Sequence, residues 1–298
     1  MKELLIGANV TFNLNTQLLG SVREALSYKS NTFMFYTGSN QSTLRCVIDD
    51  NLTYEAHKLM IENNINSNNV IVHAPFIINL ANTTDKRKYN FYISFLKEEM
   101  IRCETLGIKK LVLHPGSRVT FSLEEAIDNI AFGLNQVLKE GIGTDILLEF
   151  MSGKGTETLS NIDEFKLLFD KIEDTSHLFV CLDTCHMNDS GIDIAKFDEF
   201  LDNFDKKIGI EKIKCIHVND SNNLLGIKKD RHANIGYGTI GFQNLINVIY
   251  NKRLEDVPKI LETPYINRNE KNEYPPYKYE IENIRNKEFI DFIKNQSI

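Results

Sequence analysis

Six apolar runs in this 298-residue chain each close on a side chain that can bind a cation: His73, His114, Glu149, Asp183, His217 and Glu262. Any one of them taken alone reads as an ordinary satisfied residue; the set carries the weight. Three imidazoles and three carboxylates converging on one rim would repel or protonate unless cations sat among them. Two further pairs have chelating spacing. In Asp183-Thr-Cys-His186 the strand ends and the chain turns, which sends Asp183 and His186 to neighbouring points. In Asp230-Arg-His232 the i, i+2 spacing puts both side chains on one side of an extended loop. Nitrogen and carboxylate donors without cysteine suit Zn²⁺, with Mn²⁺ or Fe²⁺ as substitutes. Cys185 lies inside the second segment, but zinc sites that use thiolate usually use several, so it is read as a bystander. His57, in a helical run, and His177, ahead of a strand on the opposite side, complete the histidines as bystanders.

The elements that must position these groups alternate. Short β-type runs recur at Leu4 to Asn9, Thr32 to Tyr36, Val70 to Ala74, Lys110 to His114, Asp145 to Phe150, Leu178 to Asp183, Ile213 to Asn219 and Lys259 to Glu262. Between them lie segments of helical period. In Phe91 to Leu106 the pattern places Phe91, Phe95, Ile101 or Cys103, and Leu106 on one face, with Gly107 as the stop. A second helix starts at Ser122, which has capping-box spacing to Glu125 ahead of Ile127, Ile130, Leu134 and Leu138. Further helices are expected at Asn161 to Ile172, Ile194 to Phe204, Phe242 to Asn251 and Tyr279 to Asn295.

Eight apolar strands alternating with helices imply a parallel sheet covered on both faces, closed as a (β/α)8 TIM barrel with its active site at the strands' C-terminal mouths. An open doubly wound sheet is the alternative, but no G-x-G-x-x-G turn follows the first strand. The length suits one such domain over residues 1–298 better than two small ones. MKELLIGANV is too short and too interrupted for a signal peptide, and no apolar stretch reaches the ~20 residues of a membrane span, so a cytoplasmic setting is expected. Five cysteines without paired spacing read as reduced, mostly buried thiols. A formal charge of −7 looks wrong for a nucleic-acid binder and calls for a local answer.

At the ligand-bearing residues the chain closely resembles the endonuclease IV family of apurinic/apyrimidinic endonucleases. The matching segments, which fall within residues 70–265, are VHAPFIINLAN, LVLHPGS, LLEFMSGKGTE, CLDTCHMNDSG, IHVNDS, KKDRHANIGYGTIGF and ILETPY. The resemblance implies a xylose-isomerase-like barrel, a monomer, and a trinuclear zinc site. The first metal would be held by His73, His114 and Glu149, the second by Glu149, Asp183, His217 and Glu262, and the third by His186, Asp230 and His232. It also implies incision of double-stranded DNA 5′ to an abasic site by a metal-bridging hydroxide, leaving a 3′-hydroxyl and a 5′-deoxyribose phosphate, with trimming of blocked 3′ ends as a companion activity. Glu149, as the bridging ligand, and Glu262 would be central to catalysis.

Three divalent cations and one hydroxide would bring the formal charge from −7 to roughly −2. Lys228, Lys229 and Arg231 beside the third-metal loop, and Arg118 after His114, are the candidates for phosphate contact. Phe76 and Ile77, just past His73, are placed to wedge into the duplex where a base is missing, by analogy with the family's intercalating residues. The sequence departs from the family at Asn9, where a histidine is common, at Phe76, where tyrosine is common, and at Phe150, after the bridging glutamate; these bear on DNA contact rather than on the ligands. Two other readings are a sugar isomerase or epimerase with one or two metals, which has no evident need for His73, His114 and the D-x-H loop together, and a damage-binding protein that does not cut.

Overall fold

The computed structural model describes residues 3–268 and 270–295. Among them eight parallel strands close into a barrel: β1 (Ile6–Val10), β2 (Met34–Phe35), β3 (Ile71–His73), β4 (Lys110–Leu113), β5 (Asp145–Glu149), β6 (Leu178–Asp183), β7 (Ile213–His217) and, after a two-stranded hairpin of β8 (Asp220–Ser221) and β9 (His232–Ala233), β10 (Lys259–Leu261). Each barrel strand pairs with its neighbour in chain order, and β10 returns to β1 with Ile6 opposite Lys259. The runs expected from sequence mark all eight strands; the strands are shorter by a residue or more at most ends. The expected TIM barrel is therefore the observed fold.

Buried on both faces, the strands are continuously apolar, as parallel strands beneath helices must be. The inward positions form a ring of Met34, Ile71, Val112, Leu147, Cys181, Cys215 and Ile260. The outward positions pack under α1 (Gln17–Ser27), α2 (Asp50–Glu62), α3 (Lys86–Thr105), α4 (Leu123–Leu138), α5 (Ile162–Phe169), α6 (Thr184–Ser190), α7 (Phe197–Lys207), α8 (Phe242–Ile249) and α9 (Tyr277–Asn286), while Phe292 of the short α10 (Phe292–Asn295) packs on Tyr237 and Tyr279. In α4 the capping box forms as expected, the Ser122 hydroxyl accepting from the Glu125 N–H while the Glu125 carboxylate accepts from the Ser122 N–H.

Three helical details differ from the sequence reading. The buried face of α3 is Tyr89, Ile93, Leu96, Met100 and Cys103, together with Phe95, whereas Phe91 and Ile101 are exposed, because burial follows the i, i+3, i+4, i+7 stripe rather than the largest side chains. The expected Tyr279 to Asn295 helix breaks at Lys287, whose φ of 54° is a left-handed cap. The chain after Asp183 does not merely turn: Asp183 ends β6 and also caps α6, accepting the His186 N–H at 2.9 Å. No helix among the described residues is long and apolar enough to cross a membrane.

Candidate metal centre

Because all eight strands run the same way, their last residues share one mouth. His73, Glu149, Asp183 and His217 end β3, β5, β6 and β7, while His114 and Glu262 follow β4 and β10 directly. Glu149 is at the centre and almost fully buried. Its Oε2 lies 3.1 Å from Nε2 of His73 and 3.0 Å from Nε2 of His114, and its Oε1 lies 3.3 Å from Nδ1 of His217 and 3.2 Å from Nδ1 of His186. His217 Nδ1 also faces Glu262 at 3.0 Å and Asp183 at 3.8 Å. His186 Nε2 lies 3.1 Å from Asp230, and His232 Nε2 lies 3.5 Å from Asp230 and 3.7 Å from Asp183.

Three donor groups result. His73, His114 and Glu149 form one and Glu149, Asp183, His217 and Glu262 a second, the donor atoms of each lying within 4.8 Å of one another. Glu149 belongs to both. The third differs in emphasis from the expectation: Asp183, His186 and His232 are the tight set, and Asp230 reaches it through His186 and His232. Cys185 also lies within 4.8 Å of Asp230 and His232, closer to the centre than its sequence context suggested. The other bystanders stay outside, His57 on the Leu106 carbonyl and His177 on Asp145 at the start of β5.

The rings are oriented to offer bare nitrogens. Nδ1 of His73 faces the Ala74 carbonyl at 2.6 Å, Nδ1 of His186 the Phe150 carbonyl at 3.0 Å, and Nδ1 of His232 the Glu262 carbonyl at 3.2 Å. A carbonyl can only accept, so each neutral ring carries its proton on Nδ1 and turns the Nε2 lone pair inward. Nε2 of His232 is buried and makes no hydrogen bond. Carboxylates against bare imidazole nitrogens, one of them orphaned, fit divalent cations of the zinc type.

Without cations the groups hold one another's charges. Burial would raise the Glu149 carboxyl, but His114 and His217 hold it well below the usual carboxylate range. Burial likewise opposes the charge on Glu262, yet His217 brings it down to about 2. His186 and His217 are pushed well above the ordinary imidazole value despite burial, the first by Asp183 and the second by Cys181 and Glu262.

Several residues that sequence reasoning passed over set this geometry. Asn219 donates to Asp183 at 2.8 Å and accepts the Glu262 N–H at 3.0 Å, fixing two donors from one amide. Asp189, fully buried, accepts the Asp230 N–H at 2.8 Å and the Lys229 N–H at 3.3 Å, holding a loop in which Lys228 and Asp230 have left-handed φ of 57° and 53°. Glu280, from α9, accepts from Ile235 and Asn234 on one oxygen and from Thr263 on the other, tying the segment after His232 to the residue after Glu262. Both Asn219 and Asp189 lie inside the motif strings, where the ligands beside them drew the attention; Glu280 had no local signal.

Of the proposed DNA contacts, Phe76 is 45% and Ile77 37% exposed, and the Phe76 ring lies 4.9 Å from His114 and 5.6 Å from His73. Lys228, Lys229 and Arg231 are exposed around Asp230, whereas Arg118 is half-buried and donates to the Phe121 carbonyl at 3.1 Å. A cavity of about 440 Å³ opens beside Glu262 and His232, with Asn9, Tyr36, Phe76 and Arg268 along its wall. The Oδ1 of Asn9 is buried there without a partner.

The profile of the xylose isomerase-like TIM barrel family matches residues 22–287. The chain is 45% identical over 292 residues to the probable endonuclease 4 of Mycoplasma mycoides, covering 98% of this chain and 99% of that protein. It is 47% identical over 298 residues to the probable endonuclease 4 of Ureaplasma parvum, covering 99% and 97%. Among solved structures, endonuclease IV from Thermus thermophilus superposes with a TM-score of 0.78 at 25% identity, covering 94% of this chain and 97% of that one. A D-tagatose 3-epimerase-like protein superposes at 0.66 with 16% identity over 98% and 100% of the two chains, a likeness of fold alone. With identity of this order sustained from end to end, the chain belongs to the endonuclease IV family.

Proposed function

We propose that the chain is a zinc-dependent AP endonuclease of base-excision repair, which hydrolyses the phosphodiester 5′ to an abasic site in double-stranded DNA and leaves a 3′-hydroxyl and a 5′-deoxyribose phosphate. Trimming of blocked 3′ ends is read as a further activity of the same site. The observation that carries the proposal is the sharing of the buried Glu149 carboxylate between two of three adjoining donor groups at one barrel mouth.

In this reading His73, His114 and Glu149 hold one cation, Glu149, Asp183, His217 and Glu262 a second, and His186, Asp230 and His232 a third. Cations held there would activate water at neutral pH and neutralise charge building on the phosphate. Glu149 and Glu262 keep the centre anionic enough to retain cations, and the carbonyls on His73, His186 and His232 keep those rings in the binding tautomer. Lys228, Lys229 and Arg231, with Arg118 from the loop after His114, draw the backbone to the mouth. Phe76 and Ile77 stack into the gap left by the missing base. The whole chain acts as one catalytic unit, monomeric and cytoplasmic.

Labelled abasic duplex incubated with protein of known metal content tests the assignment. Incision 5′ to the site is expected only with the cations present. Binding without incision after full zinc loading, or interconversion of sugars by protein holding one or two metals, would overturn it.

A further inference from the structure

Below the metal centre, the ring of inward side chains is hydrocarbon or thioether at Met34, Ile71, Val112, Leu147 and Ile260 but carries two thiols, Cys181 and Cys215. These are register partners on the adjacent strands β6 and β7, both fully buried, so their sulfurs face the barrel axis at one level. Two residues further along β7, on the same face, stands His217. One nitrogen of its ring and the two Sγ atoms all lie within 4.8 Å of one another. The ring's Nδ1 is turned to Glu262 and Glu149, while its Nε2 is buried and has no hydrogen-bond partner. An orphaned polar atom in such a place is destabilising unless something meets it.

We propose that Sγ of Cys181, Sγ of Cys215 and Nε2 of His217 form a thiolate-containing site on the barrel floor for a divalent d¹⁰ cation such as Zn²⁺ or Cd²⁺. Soft sulfur donors with one imidazole favour such ions. Two thiolates and one divalent cation sum to zero charge, and the charge of the His217 imidazolate is shared with the cation on its Nδ1, so the apolar ring holds no lone thiolate or lone cation. Metal–sulfur and metal–nitrogen distances near 2.3 and 2.0 Å put tetrahedral donors about 3.5–3.8 Å apart, a spacing that small rotations of the two thiols reach from the one observed. Each cation bound releases two thiol protons to solvent and, because Nδ1 of His217 faces the second donor group at the mouth, the Nε2 proton of the ring as well, leaving an imidazolate between the two sites. The two faces of the His217 ring would then serve different sites, carboxylates on one side and sulfur on the other. The floor site does not depend on what reaction the mouth performs.

The test is a Cd²⁺ titration of reduced protein with its native metals in place, following the sulfur-to-cadmium charge-transfer absorbance and the bound cadmium. We expect a band that saturates at one equivalent in the wild type, disappears in Cys181→Ala and Cys215→Ala, and persists in Cys46→Ala and Cys185→Ala. Absence of the band in the wild type, its survival in Cys215→Ala, or its loss in Cys185→Ala would overturn the site. Should an alanine variant at Cys181 or Cys215 fail to fold by circular dichroism, a ¹¹³Cd NMR resonance of Cys185→Ala, which lacks the thiol near the mouth, decides: a position typical of sulfur ligation supports the site, and one typical of oxygen ligation alone refutes it. Oxygen- and nitrogen-ligated cadmium at the mouth gives no such band, so the incision assay and this titration can fail independently.

Discussion

The carboxylate of Asp189 accepts the backbone N–H of Asp230 at 2.8 Å across 41 residues of chain. It also takes the Ser221 hydroxyl at 2.7 Å and the Asn223 amide at 2.7 Å, so one buried group holds the hairpin base and the D-x-H loop together. Asp189→Asn replaces one acceptor oxygen with a donor facing other donors. We expect ~10–100-fold weaker binding at the third donor group, the range found for outer partners of metal ligands, with the barrel intact. Metal analysis alongside circular dichroism checks this; three tightly held cations in the variant would refute the role.

Glu149 stands within 3.3 Å of four imidazoles, and no other carboxylate at the mouth belongs to both of the first two groups among the described residues. Glu149→Gln keeps the shape and removes the charge. Incision of abasic duplex should fall by more than the ~100-fold that an outer partner costs. Turnover near the wild-type rate in single-turnover assays would remove Glu149 from the shared position.

Much of this was legible in the sequence because parallel strands buried on both faces must be continuously apolar, so the first polar residue after each run falls at the mouth. That logic located His73, His114, Glu149, Asp183, His217 and Glu262. It could not locate Asp189 or Glu280, whose roles arise from contacts across 41 and 45 residues that no local period encodes. Helix α1 was passed over, although Leu18, Leu19, Val22 and Ala25 carry the helical stripe, and α2 was read only as the helical run around His57, without its Asp49 cap. The two-residue strands of the β8–β9 hairpin are too short to leave a pattern at all.

Loading of the centre should release protons. In the metal-free chain His186 and His217 sit well above the ordinary imidazole value, so both hold protons near neutral pH that cations must displace. Raised histidines stabilise the metal-free fold below their unfolded value, and that contribution disappears as pH climbs through the folded one. For the depressed Glu149 and Glu262 the contribution is present above the unfolded carboxylate value and is lost as pH falls toward about 2 for Glu262. Zinc affinity should therefore rise with pH, and the binding heat should depend on the buffer's ionisation enthalpy. Calorimetry in two buffers at one pH checks this; identical heats would contradict it.

Glu280 gives stability the opposite dependence from an ordinary carboxylate. Burial pushes it up to about 7, against the pull of its hydrogen bonds from Thr263, Ile235 and Asn234. The folded chain thus keeps the proton where the unfolded one has lost it, and stability falls as pH rises from about 4.5 through 7, by on the order of 3 kcal/mol. Glu280→Gln mimics the protonated form, its amide donating to Thr263. Urea midpoints at pH 5 and 8 should differ less in the variant than in the wild type; an unchanged difference would assign the slope to other groups.

On the proposed function, Phe76 is the residue expected to separate damage recognition from general DNA binding. Its ring packs on His114 and His73 yet stays 45% exposed at the mouth, so one face is available to stack in a gap in the duplex. The phosphate contacts proposed for Lys228, Lys229 and Arg231 would act on any duplex and weaken with salt, whereas an aromatic side chain stacked on a base contributes ~1–3 kcal/mol at that one place. Phe76→Ala should therefore weaken binding to abasic duplex by about 10-fold or more and leave binding to intact duplex nearly unchanged, with metal content preserved. Ile77→Ala should act in the same direction but less, because its side chain is smaller and less exposed. Anisotropy titrations of both duplexes at one salt concentration measure the difference. Equal losses on the two would mean that Phe76 does no more than pack against the histidines beneath it.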